Sequence, residues 1–154
     1  RFKCDWSSDV CSSDLVQMGE FGMANGGSGA DTLIGGLGSA TLGGGFGSDS
    51  IVASSGGSFL IGEDGDDTMV GGDGKDVFIY TSNGGNDIVN GFDPTQDTLG
   101  LANFTELSTA GWTLFDVINR ATVSGGNTIL TMPDGSTITV AGVTGINVNW
   151  FTFK

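Results

Sequence analysis

The chain has 154 residues, about one domain's worth, with 18 acidic residues, five basic ones and no histidine, for a formal net charge of −13 at pH 7. Such a surface repels nucleic-acid phosphates and anionic membranes and attracts divalent cations. The lack of histidine excludes His-dependent triads and histidine zinc-protease sites from these residues, and no apolar run is long enough to span a bilayer.

Residues 1–15, RFKCDWSSDVCSSDL, do not read like a folded segment. The run from Asp5 to Asp14 resembles a reading-frame translation of a common sequencing adapter, GAC TGG AGT TCA GAC GTG TGC TCT TCC GAT, so the stretch is expected to be a disordered artefact and is set aside. Cys4 and Cys11 both fall inside it, which leaves the remainder without disulfide or thiolate-metal chemistry. The true N-terminus is then expected to be missing, so residue 1 says nothing about an export signal. From Val16 onward 15 acidic residues face Lys75, Arg120 and Lys154, a net charge of −12. Residues 16–25 (VQMGEFGMAN) place Gly19 and Gly22 at turn-like spacing without an acidic residue in the aspartate place, and read as a worn or truncated edge of the repeats that begin at Gly26.

From Gly26 to Ile79 six nine-residue blocks succeed one another without insertion or deletion: GGSGADTLI, GGLGSATLG, GGFGSDSIV, ASSGGSFLI, GEDGDDTMV and GGDGKDVFI. The fourth place is always glycine, from Gly29 to Gly74, and the eighth is always large and apolar: Leu33, Leu42, Ile51, Leu60, Met69 and Phe78. Glycine supplies a turn, and a very short strand then points one side chain inward. Strands of about three residues cannot stand alone, so the blocks must stack, two to a coil, in an all-β parallel β-roll with an 18-residue rung.

After Ile79 the period slips, and SNGGNDIVN resumes two residues late with Asp87 in the aspartate place. GFDPTQDTLGL keeps Asp93 and Asp97 around Pro94, as closing turns of the roll. From Ala102 glycine thins out. Ser108 or Thr109 offers an N-cap, Leu114, Val117, Ile118 and Ala121 fall at helical spacing, and Gly125 and Gly126 are expected to stop a short helix. NTILTM and STITV flank Pro133-Asp134-Gly135 and read as a hairpin, and NVNWFTFK reads as a last strand. The expected division is 16–25 as the roll's edge, 26–99 as roll with closing turns and 100–154 as a β-rich cap with one helix.

The blocks match G-G-x-G-x-D-x-U-x and so resemble the calcium-binding repeat of RTX (repeats-in-toxin, hemolysin-type) proteins. In that family an ion sits between two turns stacked on one side of the roll and takes aspartate and carbonyl oxygens from each. Calcium wants six to eight oxygens at about 2.3–2.6 Å, which aspartates and glycine-turn carbonyls provide. On one side the sixth place holds Asp31, Asp49 and Asp67; on the other it holds Ala40, Ser58 and Asp76. By resemblance the first column carries two ions. One or two more are expected if Asp76 pairs with Asp93 or Asp97 and Asp67 with Asp87. The carbonyl ligands implied are those of Gly26, Ser28, Gly29, Gly44, Gly45, Gly47, Gly62 and Gly65. A column of carboxylates about 4.8 Å apart repels itself unless a cation intervenes.

Six inward side chains make a thin core against the entropy of a chain with 29 glycines. Calcium binding offsets the deficit: a dissociation constant near 0.1 mM, typical of extracellular modules, gives about 1.4 kcal/mol per site at millimolar calcium. The expected behaviour is a chain unfolded in the cytosol and folded outside. By resemblance it is the C-terminal, type I-secreted region of a larger exported bacterial protein such as a toxin, protease, lipase or adhesin, extracellular and monomeric, without nucleic-acid or membrane partners. The alternative is a carbohydrate-recognition module attached to a polysaccharide-active exoenzyme.

Other motifs weigh less. Asp64-Gly-Asp66 begins like an EF-hand loop, but its twelfth place is Lys75. Gly74-Lys75-Asp76 lacks the hydroxyl and spaced glycine of a P-loop. A carboxylate pair for glycoside hydrolysis is conceivable on any acidic surface, yet these carboxylates have a simpler role, and no catalytic residue is expected. Trp112, Trp150, Phe151 and Phe153 are expected in the core rather than on a sugar-stacking platform.

Overall fold

Most blocks flank one inward apolar residue with β-branched or small polar neighbours, which suits an extended backbone, and the glycines turn the chain back. The computed structural model describes residues 13, 15–82, 84–102 and 111–153; Cys4, Cys11, Ser108 and Thr109 lie outside these. The roll consists of β1 (Leu15–Gln17), β2 (Gly22–Ser28), β3 (Thr32–Ile34), β4 (Ala40–Phe46), β5 (Ser50–Val52), β6 (Ser58–Asp64), β7 (Thr68–Val70), β8 (Val77–Thr81), β9 (Asn86–Asn90) and β10 (Thr98–Ala102). Odd strands form one sheet in the order β1-β3-β5-β7-β9 and even strands the other, β10-β8-β6-β4-β2.

Thr32 pairs with Ser50, Ser50 with Thr68, and Leu42 with Leu60, all in parallel, so partners are 18 residues apart and one rung holds two blocks. The slip after Ile79 is absorbed: Thr68 pairs with Ile88, an offset of 20, and Val77 with Thr98, an offset of 21. The eighth-place residues, Leu33 to Phe78, meet between the sheets at 0–1% exposure, and Val89 and Leu99 extend the same stack.

The two sheets differ in a way the period did not announce. β3, β5 and β7 have three residues each, but β2, β4 and β6 have seven, because their pairing runs on into the next block. The register goes from Asn25–Gly43 to Gly27–Gly45, and from Gly43–Ile61 to Gly45–Glu63. Gly26, Gly44 and Gly62 are thereby left out of the ladder.

The C-terminal segment caps the roll. Helix α1 (Leu114–Arg120) begins at Thr113, whose hydroxyl accepts the Asp116 N–H while the Asp116 carboxylate accepts the Thr113 N–H at 2.7 Å. This reciprocal cap places the helix start beyond the expected Ser108 or Thr109. The helix ends at Arg120, short of the expected stop, since Gly125 and Gly126 turn the chain between β11 (Thr122–Ser124) and β12 (Asn127–Thr131). β12 pairs with β13 (Thr137–Val140) around Pro133-Asp134-Gly135, the hairpin read from the sequence. β13 then lies parallel to β9. The expected last strand is only half extended: Val148–Trp150 form a 3-10 turn, with the Asn147 side chain accepting the Asn149 N–H at 2.9 Å. β14 (Phe151–Phe153) comes next, parallel to β10. The cap thus adds three strands, β13, β12 and β11, to the end of the odd sheet and one, β14, to the end of the even sheet. Phe92 packs between Phe78 and Trp150, at centroid distances of 5.9 and 5.2 Å. Trp150 and Phe151 are in the core, and the Arg120 guanidinium lies 4.3 Å over the Trp112 ring.

Candidate metal centre

The turns that lead from even to odd strands, β2 to β3, β4 to β5, β6 to β7 and β8 to β9, stack along one flank of the roll. Asp31, Asp49, Asp67 and Asp87 succeed one another there and are 1–3% exposed, so their carboxylates turn inward beneath the bends. One oxygen of each link is engaged: the N–H of Asp31 donates to Asp49 Oδ1 at 2.7 Å, that of Asp49 to Asp67 Oδ1 at 2.8 Å, and that of Asp67 to Asp87 Oδ1 at 3.0 Å. The second oxygen differs. Asp49 Oδ2 and Asp67 Oδ2 are buried without a hydrogen-bond partner, a condition that costs a charged group several kcal/mol unless something compensates it.

The surroundings of these oxygens are glycine and carbonyl. A Cβ on Gly44 would stand 2.3 Å from Asp49 Oδ2 and 2.7 Å from the Gly62 carbonyl oxygen; one on Gly26 would stand 2.5 Å from Asp31 Oδ2 and 2.6 Å from the Gly44 carbonyl oxygen. On Gly62 it would stand 2.3 Å from Asp67 Oδ2. Each of the lower two levels therefore brings a carboxylate oxygen of one rung beside a carbonyl of the next, around a space that only glycine leaves open.

The backbone makes that space. In the three turns the second place has φ of +97° (Gly27), +107° (Gly45) and +71° (Glu63), and the fourth has +116° (Gly29), +125° (Gly47) and +143° (Gly65). These are left-handed conformations that glycine adopts freely and that strain Glu63. The carbonyl of Gly29 packs against Gly47 and that of Gly47 against Gly65, each about where a Cβ would intrude.

Burial dominates the electrostatics. It pushes Asp67 up to about 6 and Asp87 up to about 8, and raises Asp49 as well. In each case the rung-to-rung N–H opposes the shift, and the neighbouring carboxylates reinforce it: Asp31 and Glu63 for Asp49, Asp49 and Asp66 for Asp67, and Asp67 and Asp66 for Asp87. An acidic column raised first by burial and further by its own members is one that a divalent cation relieves.

Of the residues singled out in the sequence, Asp31, Asp49, Asp67 and Asp87 share this flank, and the carbonyls of Gly44 and Gly62 come to it. Gly45 pairs with Gly27 and Glu63, and Ser28 with Phe46, within the sheet that borders it. Asp76 and Asp97 lie on the opposite flank, linked by the Asp76 N–H to Asp97 Oδ1 at 2.8 Å. Asp93 joins neither column; its Oδ1 accepts the N–H and hydroxyl of Thr95 at 2.9 and 2.7 Å. Two features escaped the sequence reading: the amide donors of the aspartates themselves, and Gly27, whose signal was the recurrent second-place glycine.

Among the described residues no group of three or more acidic, Cys or His side chains gathers at one point. The arrangement is instead paired carboxylates with carbonyls, a donor set of hard oxygens, and the orphaned oxygens and glycine cradles fit a calcium ion. Gly26, Gly44, Asp31, Asp49, Gly62 and Asp67 are the residues that would hold such an ion.

No curated protein matches the chain. Among solved structures, the crystal structure of extracellular lipase LipA from Serratia marcescens is similar with a TM-score of 0.38 at 13% identity, over 94% of this chain and 39% of that one. The chain thus spans about two fifths of that protein. The family model described as RTX calcium-binding nonapeptide repeat (4 copies) matches residues 24–42 and 43–78. That segment, which contains the cradle glycines and the Asp31, Asp49 and Asp67 column, is an array of RTX nonapeptide repeats, which bind calcium ions.

Proposed function

We propose that this chain is a calcium-stabilised structural module in which Asp31, Asp49 and Asp67, with the carbonyls of the stacked turns, hold two ions between successive rungs, and Asp87 contributes a further level. The observation that carries the reading is the pair of buried oxygens, Asp49 Oδ2 and Asp67 Oδ2, left without a proton donor where glycines keep space open. Calcium supplies positive charge and shared coordination at those oxygens. The chain's own part is to present them at a fixed spacing of one rung.

The same reading gives residues 26–99 the calcium-dependent roll and residues 100–154 the cap at the end of the stack. It assigns no catalytic role to any of these residues. It further makes the chain an exported, extracellular, monomeric region of a larger type I-secreted bacterial protein. The support is the repeat family and a linkage argument: a thin core that needs millimolar calcium folds only where calcium is abundant.

Isothermal titration of the full chain with calcium chloride tests the core of the reading. At least two ions should bind with dissociation constants near 0.1 mM, in the range of extracellular modules. Heat of dilution alone up to about 10 mM calcium, beyond the weakest affinities of such modules, would refute it.

A further inference from the structure

The turns from odd to even strands, β3 to β4, β5 to β6, β7 to β8 and β9 to β10, form the second flank, where the sixth places are Ala40, Ser58 and Asp76 and the closing turn adds Asp97. Their side chains are as buried as those of the first flank, at 5% for Ala40, 3% for Ser58, 0% for Asp76 and 3% for Asp97. Their oxygens are spent differently. Asp76 Oδ1 accepts the Ser58 N–H and Oδ2 accepts the Gly72 N–H, both at 2.7 Å. Asp97 Oδ1 accepts the Asp76 N–H and Oδ2 the Asp93 N–H, both at 2.8 Å. At Ser58 the hydroxyl takes the corresponding place, accepting the Ser54 N–H at 2.8 Å.

The rule is the same in the three turns whose sixth place is polar: the side chain of Ser58, Asp76 or Asp97 receives the N–H four residues before it. On the first flank the residues four before Asp31, Asp49 and Asp67 are Gly27, Gly45 and Glu63, the ones at positive φ. On the second flank neither Gly72 nor Ser54 has positive φ, and neither do the fourth-place glycines Gly38, Gly56 and Gly74. Glycine is needed there for another reason: a Cβ on Gly74 would stand 2.3 Å from the Gly57 nitrogen, and one on Gly35 2.4 Å from the Ser54 nitrogen. One backbone rotation therefore separates two kinds of turn. With positive φ at the second place, as before Asp49 and Asp67, the second carboxylate oxygen receives no local N–H and is left for a cation; without it, the N–H occupies that oxygen and sets its positive dipole end where a cation would stand.

We infer that the second flank is a metal-free spine: Asp76 and Asp97 close it through backbone N–H groups alone, and bound calcium is confined to the first flank although GGDGKD at Gly71–Asp76 matches the calcium repeat in full. This rests on the calcium reading above and narrows it. Ser54 and Ser58 complete the spine where the repeat has lost its acid, so the serine-for-aspartate change there is a working substitution.

Two experiments on the full chain test it. In crystals of the wild type loaded with terbium, a calcium mimic with strong anomalous scattering, peaks should stand beside Asp49 and Asp67, and none within coordination distance, about 2.3–2.6 Å, of an Asp76 or Asp97 oxygen. A peak bridging Asp76 and Asp97 would overturn the inference. In solution, Asp97→Asn should keep the wild-type number of calcium ions with each Kd within about twofold, as for distant independent sites, whereas Asp49→Asn should lose ions. Loss of an ion equivalent in Asp97→Asn would overturn the inference while leaving the calcium reading intact. Absence of any ion in the wild type would overturn the calcium reading itself, and confinement to the first flank with it.

Discussion

Asp49→Asn should reverse the order of stability between two solutions. In the wild type Asp49 Oδ1 accepts the Asp31 N–H at 2.7 Å while Oδ2 is buried and unpartnered. Asparagine keeps an acceptor for the Asp31 N–H and puts an N–H2 donor where the orphaned oxygen was, in the space that the Gly62 carbonyl borders. It also removes the central charge of the Asp31, Asp49 and Asp67 column. Satisfying one buried polar atom is worth about 1–2 kcal/mol, so in excess chelator the variant should be the more stable. In calcium the balance changes sign, because Asp49 serves the level below it and its own. Two sites at about 1.4 kcal/mol each give roughly 2.8 kcal/mol of calcium-dependent stability that the variant forfeits. Urea melts followed by circular dichroism at about pH 6, where protonation of the buried column still holds the calcium-free chain folded, with EDTA and with millimolar calcium, read both effects. A variant less stable than wild type in EDTA, or one that keeps the wild-type calcium increment, would refute the reasoning.

Ser58→Ala removes the acceptor of the Ser54 N–H and should cost about 1 kcal/mol in EDTA and in calcium alike; a loss of calcium affinity equal to that of Asp49→Asn, read by titration, would contradict the division between flanks. Glu63 occupies a left-handed position, φ +71°, where Gly27 and Gly45 stand in the rungs below, and among the described residues its carboxylate accepts only a long bond from Asn25 at 3.4 Å. Glu63→Gly should therefore raise the urea midpoint by an amount equivalent to about 1 kcal/mol, and a lowered midpoint would show that the side chain matters more than the strain. Burial raises Asp67 to about 6 and Asp87 to about 8 from 3.8, so the folded chain holds protons that the unfolded chain has shed. Their contribution to stability is present below about pH 4 and lost as pH rises through about 6 and 8. In EDTA the melting temperature should fall between about pH 5 and pH 8; a flat or rising profile would be evidence against the buried column.

The roll was legible in the sequence because its constraint is metrical. Leu33, Leu42, Ile51, Leu60, Met69 and Phe78 recur every nine residues, and stacked half-coils bury all of them. The sidedness of the aspartates came from the same count, and Asp87 rejoins the column despite the slip because two extra residues fit in a turn without altering the strand beyond it. What the period could not carry is conformation. Gly44-Gly45 and Gly71-Gly72 are the same dipeptide at the same places, yet Gly45 has φ +107° and Gly72 does not have positive φ. Glycine permits either, so the neighbours decide, and those neighbours are a rung away in space. The carbonyl and N–H orientations that distinguish a cation site from a hydrogen-bonded bend are therefore invisible in the repeat itself. The cap is a different case: Thr113 and Asp116 form a capping pair three residues apart, a local signal that outranks the simple hydroxyls of Ser108 and Thr109 as a helix start.

Far-ultraviolet circular dichroism of the full chain in excess chelator and in millimolar calcium bears most directly on the claim that cations close the first flank. The β signal should collapse toward that of an unfolded chain in chelator near pH 8 and return on adding calcium, with magnesium unable to replace it because Mg²⁺ dehydrates reluctantly and demands a tighter oxygen shell. The same β signal in both solutions would contradict it.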